Sequence, residues 1–71
     1  MKFEVAIKGR YRRKRVTLGY IDSQDSKVPA DVALEMLGWS FLEERLWKKF
    51  FEKDGYLVCL DDISVRAIKD K

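Results

Sequence analysis

The sequence predicts an α+β fold: a single small domain in ββααββ order, with an antiparallel sheet of two hairpins packed on one face by a short and a longer helix. Three observations predict it: apolar residues alternate at period two near both ends, two stretches of helical spacing lie between them, and the chain has 71 residues. This length allows one domain at most, and a hydrophobic content of 46% can supply its core.

The first hairpin is predicted over residues 2–21. Residues 3–7 alternate between apolar side chains and polar or small ones, and residues 16–20 repeat the pattern. The simplest connection between two such strands is an antiparallel hairpin whose distal end is formed by residues 9–15.

A short helix is predicted over residues 29–37, after a polar loop at 22–28. Pro29 suits a first helical position, where its missing N–H would have no intrahelical partner, and Gly38 suits the end of the helix. The residues that helical spacing places on one face are Val32, Ala33, Met36 and Leu37.

A longer helix is predicted over residues 41–54. Ser40 and Glu43 have the spacing of a capping box, and Gly55 would close the helix. The apolar stripe at helical spacing consists of Leu42, Leu46 and Phe50, widened by Trp47 and Phe51.

The second hairpin is predicted over residues 56–69. Two β-favouring runs, 56–60 and 63–68, are separated by Asp61 and Asp62, which would form a very short turn. Because Asp-Asp is a weaker turn signal than Asn-Gly, an irregular corner over 61–63 is the alternative.

Positive charge is concentrated in residues 8–15, here called the basic segment. Six of its eight residues are Lys or Arg, out of fifteen in the chain; the nine that remain face twelve acidic residues, so the other 63 residues carry −3. A cationic segment on a slightly acidic body attracts a phosphate backbone or an acidic protein surface.

The leading functional hypothesis is non-enzymatic nucleic-acid binding, with DNA favoured over RNA. The predicted contact residues are Lys8, Arg10, Tyr11, Arg12, Arg13, Lys14 and Arg15. The basic side chains would bind phosphates or base edges, and the tyrosine would stack on an unpaired base. Such features also suit a small regulator of bacterial, plasmid or viral origin. A purely solubilising role at a sheet edge is the simpler alternative, although six cations exceed what that needs.

The rival hypothesis is a small adaptor or inhibitor that docks an acidic or aromatic-binding protein. Its predicted contact residues are Trp39, Trp47 and Phe51. Five large aromatic residues occur within residues 39–51, more than one helical face can bury. Some are therefore expected at the surface or in a homodimer interface, and Trp39 is the best candidate for exposure.

Residues 32–40 are similar to the first helix and turn of helix-turn-helix domains, including excisionase-like ones. Such a motif would need an apolar, inward-facing residue near position 44, where this chain has Glu44. Two short helices packed on a sheet are therefore the favoured interpretation.

Several classes of function are not expected. Cys59 is the single cysteine and the chain has no histidine, which argues against a disulfide, a zinc site and imidazole catalysis. The acidic pairs at 43–44 and 61–62 diverge in a helix or strand. With no signal-peptide or membrane-spanning stretch, we expect a cytoplasmic, non-enzymatic protein that uses no cofactor or metal and binds no membrane.

Overall fold

The computed structural model describes residues 1–9 and 14–68, which contain six strands, one α-helix and one 3-10 turn. In chain order these are β1 (Lys2–Ile7), β2 (Val16–Asp22), α1 (Ala30–Met36), β3 (Ser40–Arg45), β4 (Lys48–Lys53), β5 (Tyr56–Cys59), the 3-10 turn (Leu60–Asp62) and β6 (Ile63–Ile68). The strands form two three-stranded antiparallel sheets, so the predicted ββααββ order with two helices on one sheet is wrong.

The first sheet has the strand order β2-β1-β6. In its antiparallel register, Val5 lies opposite Gly19 on one side and Val65 on the other, and Glu4 lies opposite Arg66. Four consecutive residues of β1 are buried, since the strand is central: Phe3 and Val5 belong to the core cluster, and Arg15, Thr17 and Arg66 contact Glu4. The sheet thus joins the beginning of the described chain to its end.

The second sheet, β3-β4-β5, occupies the region predicted as the longer helix at 41–54. Its two-residue turns are Leu46–Trp47 and Asp54–Gly55, and all four residues have positive φ, as type I′ hairpin turns require. Asp-Gly is a strong hairpin signal, and it favours pairing of β4 with β5 over continuation of a helix.

The apolar positions of this segment follow strand geometry. Phe51 is 2% exposed and lies opposite Val58 of β5, which is also buried. By contrast, Leu42 and Leu46 from the predicted helical stripe are exposed. Side chains that a helix would have aligned are separated here onto the two faces of a sheet and a turn.

The predicted hairpin at 56–69 is also wrong. β5 pairs with β4, whereas β6 pairs with β1, and the 3-10 turn carries the chain from the second sheet to the first. The alternative of an irregular corner near Asp61 describes this region better, because Asp-Asp offers no glycine for a tight turn. Residue 69 lies outside the described residues.

The core lies between the two sheets and the helix. Its buried cluster consists of Phe3, Val5, Ile21, Ala33, Leu34, Trp39, Phe51, Val58 and Ile63. Both sheets and α1 contribute to it, so the second sheet packs with the first around one cluster.

The buried face of α1 is rotated from the predicted one. Ala33 and Leu34 are fully buried, whereas Val32 and Met36 are 42% and 50% exposed. Leu37 packs so closely over β2 that a Cβ added to Gly19 would lie 2.9 Å from its Cδ2. Packing against the sheet therefore determines which side of this seven-residue helix faces inward.

Candidate functional site

The basic segment joins β1 to β2 at the end of the first hairpin. Lys8 and Lys14 are exposed, and the Lys8 backbone N–H donates a hydrogen bond of 2.8 Å to the carbonyl oxygen of Asp62. This bond anchors the start of the segment beside the 3-10 turn. The predicted contact residues Arg10, Tyr11, Arg12 and Arg13 lie outside the described residues.

Arg15 is held against the first sheet. Its Nε donates to Glu4 Oε1 at 3.0 Å, and its Nη1 donates to Ser64 Oγ at 3.1 Å. The side chain is 28% exposed, and its buried Nη2 has no hydrogen-bond partner among the residues that the structure describes. Unlike the two exposed lysines, Arg15 thus has a structural role in cross-strand contacts.

Glu4 is the centre of a polar network on β1. Its Oε2 accepts a hydrogen bond of 3.0 Å from Thr17 Oγ1, and its Oε1 lies 2.9 Å from Nε of Arg66. The Thr17 hydrogen bond, together with Arg15 and Arg66, lowers the pKa of Glu4 below its ordinary value of 4.5, and partial desolvation opposes this effect. The carboxylate is therefore ionised at neutral pH.

The network reduces the cationic charge next to the basic segment. Arg15 and Arg66 share the single carboxylate of Glu4, so the three side chains together carry about one positive charge. A phosphate that bound Arg15 would compete with Glu4. Within the described part of the segment, Lys8 and Lys14 are the cations most open to a ligand.

The three aromatic residues of the predicted protein-docking surface do not share one surface. Trp39 and Phe51 are only 8% and 2% exposed, whereas Trp47 is 93% exposed. The expectation that Trp39 would be the exposed residue is wrong. Phe51 instead makes an edge-to-face contact with Phe41, with ring centroids 5.7 Å apart.

Of the β3–β4 turn, the sequence analysis named Trp47 as a contact residue but not the turn itself as a site. Leu46 and Trp47 form its tip, and they are flanked by Arg45, Lys48 and Lys49, all exposed. The run Arg-Leu-Trp-Lys-Lys was visible in the sequence, but the predicted helix distributed it over two faces. A hairpin collects these residues at one end.

A cleft of about 310 Å³ opens beside α1 and the second sheet. Its lining residues are Asp31, Glu35, Phe41, Glu44, Lys49 and Phe51. Three carboxylates and one ammonium group surround two aromatic rings, so the cleft is acidic and differs from the basic segment in charge. Within residues 1–9 and 14–68, no group of three or more Cys, Asp or Glu side chains is arranged to hold a metal ion.

Comparison with known proteins gives no relative for this chain: no family model, curated protein or solved structure matches it significantly. In the part of the chain that the structure describes, no helix has the length and apolar character needed to traverse a bilayer.

Proposed function

We propose that this protein is a non-enzymatic nucleic-acid-binding protein whose basic segment, residues 8–15, contacts the phosphate backbone. The observation that carries the proposal is the charge separation: six cations in eight residues, against −3 on the remainder of the chain. An isolated block of one sign produces a local potential that concentrates polyanions near it.

The position of the segment supports this role. It links two paired strands at their Ile7 and Val16 ends, and both described lysines in it are exposed. Side chains at the end of a hairpin can approach a phosphate backbone without hindrance from the rest of the sheet. Since Glu4 retains Arg15, the expected phosphate contacts are Lys8, Arg10, Arg12, Arg13 and Lys14.

Salt dependence measures this contact set directly. Five neutralised phosphates predict that log affinity for duplex DNA falls against log salt concentration with a slope of about −4.5, because each contact releases condensed counterions. Titrations by fluorescence anisotropy at several NaCl concentrations would give the slope. A slope near zero, or no complex at low salt, would contradict the proposal.

A triple variant, Arg12→Ala, Arg13→Ala and Lys14→Ala, tests the location. We expect its slope to fall in magnitude by roughly 3 and its binding to be lost at physiological salt. The matched control removes the same charge elsewhere through Lys27→Ala, Lys69→Ala and Lys71→Ala, none of which belongs to the basic segment. The control should keep most of the slope, and equal losses in the two triple variants would show that net charge alone is responsible.

The alternative of a protein-interaction module makes a different prediction. If the partner were an acidic protein, the basic segment would not need to bind nucleic acid more tightly than other polyanions. Competition experiments with heparin and with polyglutamate therefore separate the two roles. If the protein binds nucleic acid, nucleic acid should displace bound polyglutamate at equal charge concentration. Displacement of bound nucleic acid by polyglutamate would favour the acidic protein partner.

A further inference from the structure

The tip of the β3–β4 hairpin exposes two large apolar side chains. Leu46 is 83% exposed and Trp47 is 93% exposed, the two highest values for large hydrophobic residues within the described ranges 1–9 and 14–68. Neither contributes to the core cluster. Folding of this chain therefore gains little from them, and tryptophan is the side chain with most to gain from contact with another molecule.

The backbone of this tip is unfavourable for the residues it holds. Leu46 and Trp47 have φ values of 52° and 69°, in the left-handed region that glycine and asparagine tolerate and bulky residues avoid. The other turn of the same sheet uses Asp54 and Gly55 at similar angles, as type I′ turns favour. Strain retained at an exposed position points to a role in function.

Positively charged residues flank the apolar tip, and Glu44 lies beside it. Arg45 and Lys48 lie opposite each other at the base of the turn, and Lys49 follows on β4. Among residues 1–9 and 14–68, none of these three side chains forms an ion pair. Lys49 lies opposite Glu44 and lines the acidic cleft, so Arg45 and Lys48 are the cations that the tip can offer to a ligand. Two cations beside an exposed indole make the tip complementary to a ligand that combines anionic groups with a flat apolar ring.

The basic segment borders the 3-10 turn, and the tip lies farther along β4 from the same turn. The turn ends at Asp62, which accepts the Lys8 backbone hydrogen bond, and it begins directly after Cys59. Cys59 lies opposite Phe50 of β4, three residues from Trp47. At about 3.3 Å per strand residue, the indole lies on the order of 10 Å along β4 from this turn.

We propose that Trp47 stacks on an unpaired base of single-stranded nucleic acid while Arg45 and Lys48 bind the adjacent phosphates; this inference rests on the proposed function. Each nucleotide offers both a π-face and a charged phosphate, which matches the composition of the tip. A bilayer interface is less well matched, because only two apolar side chains are available for insertion before the flanking cations.

Intrinsic fluorescence reports this contact. Trp39 is buried and Trp47 is exposed, so the contact of a base with Trp47 should quench the solvent-exposed part of the emission. We expect titration with oligothymidylate at low salt to quench this emission and to protect it from iodide. Binding with no change in emission or iodide access would overturn the inference.

Substitution separates stacking from charge. Trp47→Ala should weaken oligothymidylate binding roughly tenfold or more without changing the salt slope, and Trp47→Phe should retain most of the affinity. The matched control is Tyr56→Ala, which removes a 73% exposed aromatic residue at the opposite end of the same sheet and should bind like the unmodified protein.

A second variant removes the indole without the risk that a loss of binding reflects misfolding. Leu46→Asn with Trp47→Gly places a favoured type I′ pair at the tip, so it should fold at least as well and still lose the stacking contribution. If it binds oligothymidylate as tightly as the unmodified protein, the inference is wrong.

Further outcomes distinguish the two proposals. Salt-dependent duplex binding with no effect of Trp47→Ala on oligothymidylate would overturn the stacking site and leave the basic segment supported. No binding to either nucleic acid would overturn both proposals. Trp47-dependent binding to phosphatidylcholine–phosphatidylserine vesicles, with no such dependence for oligothymidylate, would assign the tip to a membrane surface instead.

Discussion

The two sheets of this protein use their polar and apolar residues in opposite ways. In the first sheet, Glu4 lies on the central strand and is paired with Thr17, Arg15 and Arg66, so its charged group connects neighbouring strands. In the second sheet, Leu46 and Trp47 project into solvent beside Arg45 and Lys48. The first arrangement stabilises the fold, and the second leaves binding groups available.

The same contrast appears within the second sheet. Phe51 of β4 is part of the core, whereas Trp47, four residues earlier, is outside it. Folding therefore requires Phe51 of β4 but does not require Trp47 of the turn that precedes this strand. The comparison predicts that stability and binding can be changed separately.

The largest expected effect is that of Phe51→Ala. Removing a buried phenyl ring typically lowers the free energy of unfolding by about 3–5 kcal/mol, which for a chain of this size approaches the whole stability. Urea denaturation followed by the emission of buried Trp39 would measure it, with Trp47→Ala as the control expected within about 0.5 kcal/mol of the unmodified protein. Similar losses in both variants would remove the distinction between the two aromatic residues.

The next effect has the opposite sign. Leu46→Asn with Trp47→Gly should raise the free energy of unfolding by about 1–2 kcal/mol, because it relieves two bulky residues at positive φ. Its counterpart places the same bulky pair in the other turn through Asp54→Leu with Gly55→Trp, and it should lower stability. Thermal denaturation of both double variants would measure these two changes in stability. A lower melting temperature for Leu46→Asn with Trp47→Gly would show that the tip is not strained.

The smallest effect concerns the first sheet and is measured as a change of stability with pH. Because the pKa of Glu4 is lowered in the folded state, its ionised form contributes stability above about pH 4.5, and this contribution is lost as pH falls through the lowered pKa. Glu4→Gln should therefore flatten this part of the stability–pH curve. The effect is modest because Arg15 and Arg66 remain partly accessible to water.

A matched control for the pH experiment is Glu52→Gln, since Glu52 is exposed on β4 and forms no ion pair with any residue that the structure describes. Urea denaturation between pH 3 and 6 (about the range in which carboxylates titrate) would compare the two variants. Unchanged acid sensitivity in Glu4→Gln would mean that the network does not couple to folding.

Local patterns in the sequence were enough to locate several elements. Alternating side chains predicted strands at 3–7 and 16–20, where β1 and β2 lie, and Pro29 with Gly38 bracketed the short helix. These signals are local, because side-chain alternation and helix ends depend on neighbouring residues. The candidate site was predictable only as a cluster of charge in residues 8–15.

The error at 41–54 has a physical origin. Leu, Glu, Arg and Lys have good helix propensity, and the capping-box spacing of Ser40 and Glu43 supports a helix start. Propensity amounts to tenths of a kcal/mol per residue, whereas burying Phe51 against other segments contributes several times more. The Asp54–Gly55 pair was the local signal that opposed the helix.

The amino-acid sequence by itself determined where charge is concentrated, which segments alternate and where a short helix can begin, since each depends on residues close together in the chain. Only the tertiary structure decided that residues 40–59 form a sheet, that Arg15 is paired with Glu4 and that Trp47 is exposed while Trp39 is buried. Strand pairing and burial join residues distant in sequence, so their free energies depend on the assembled fold.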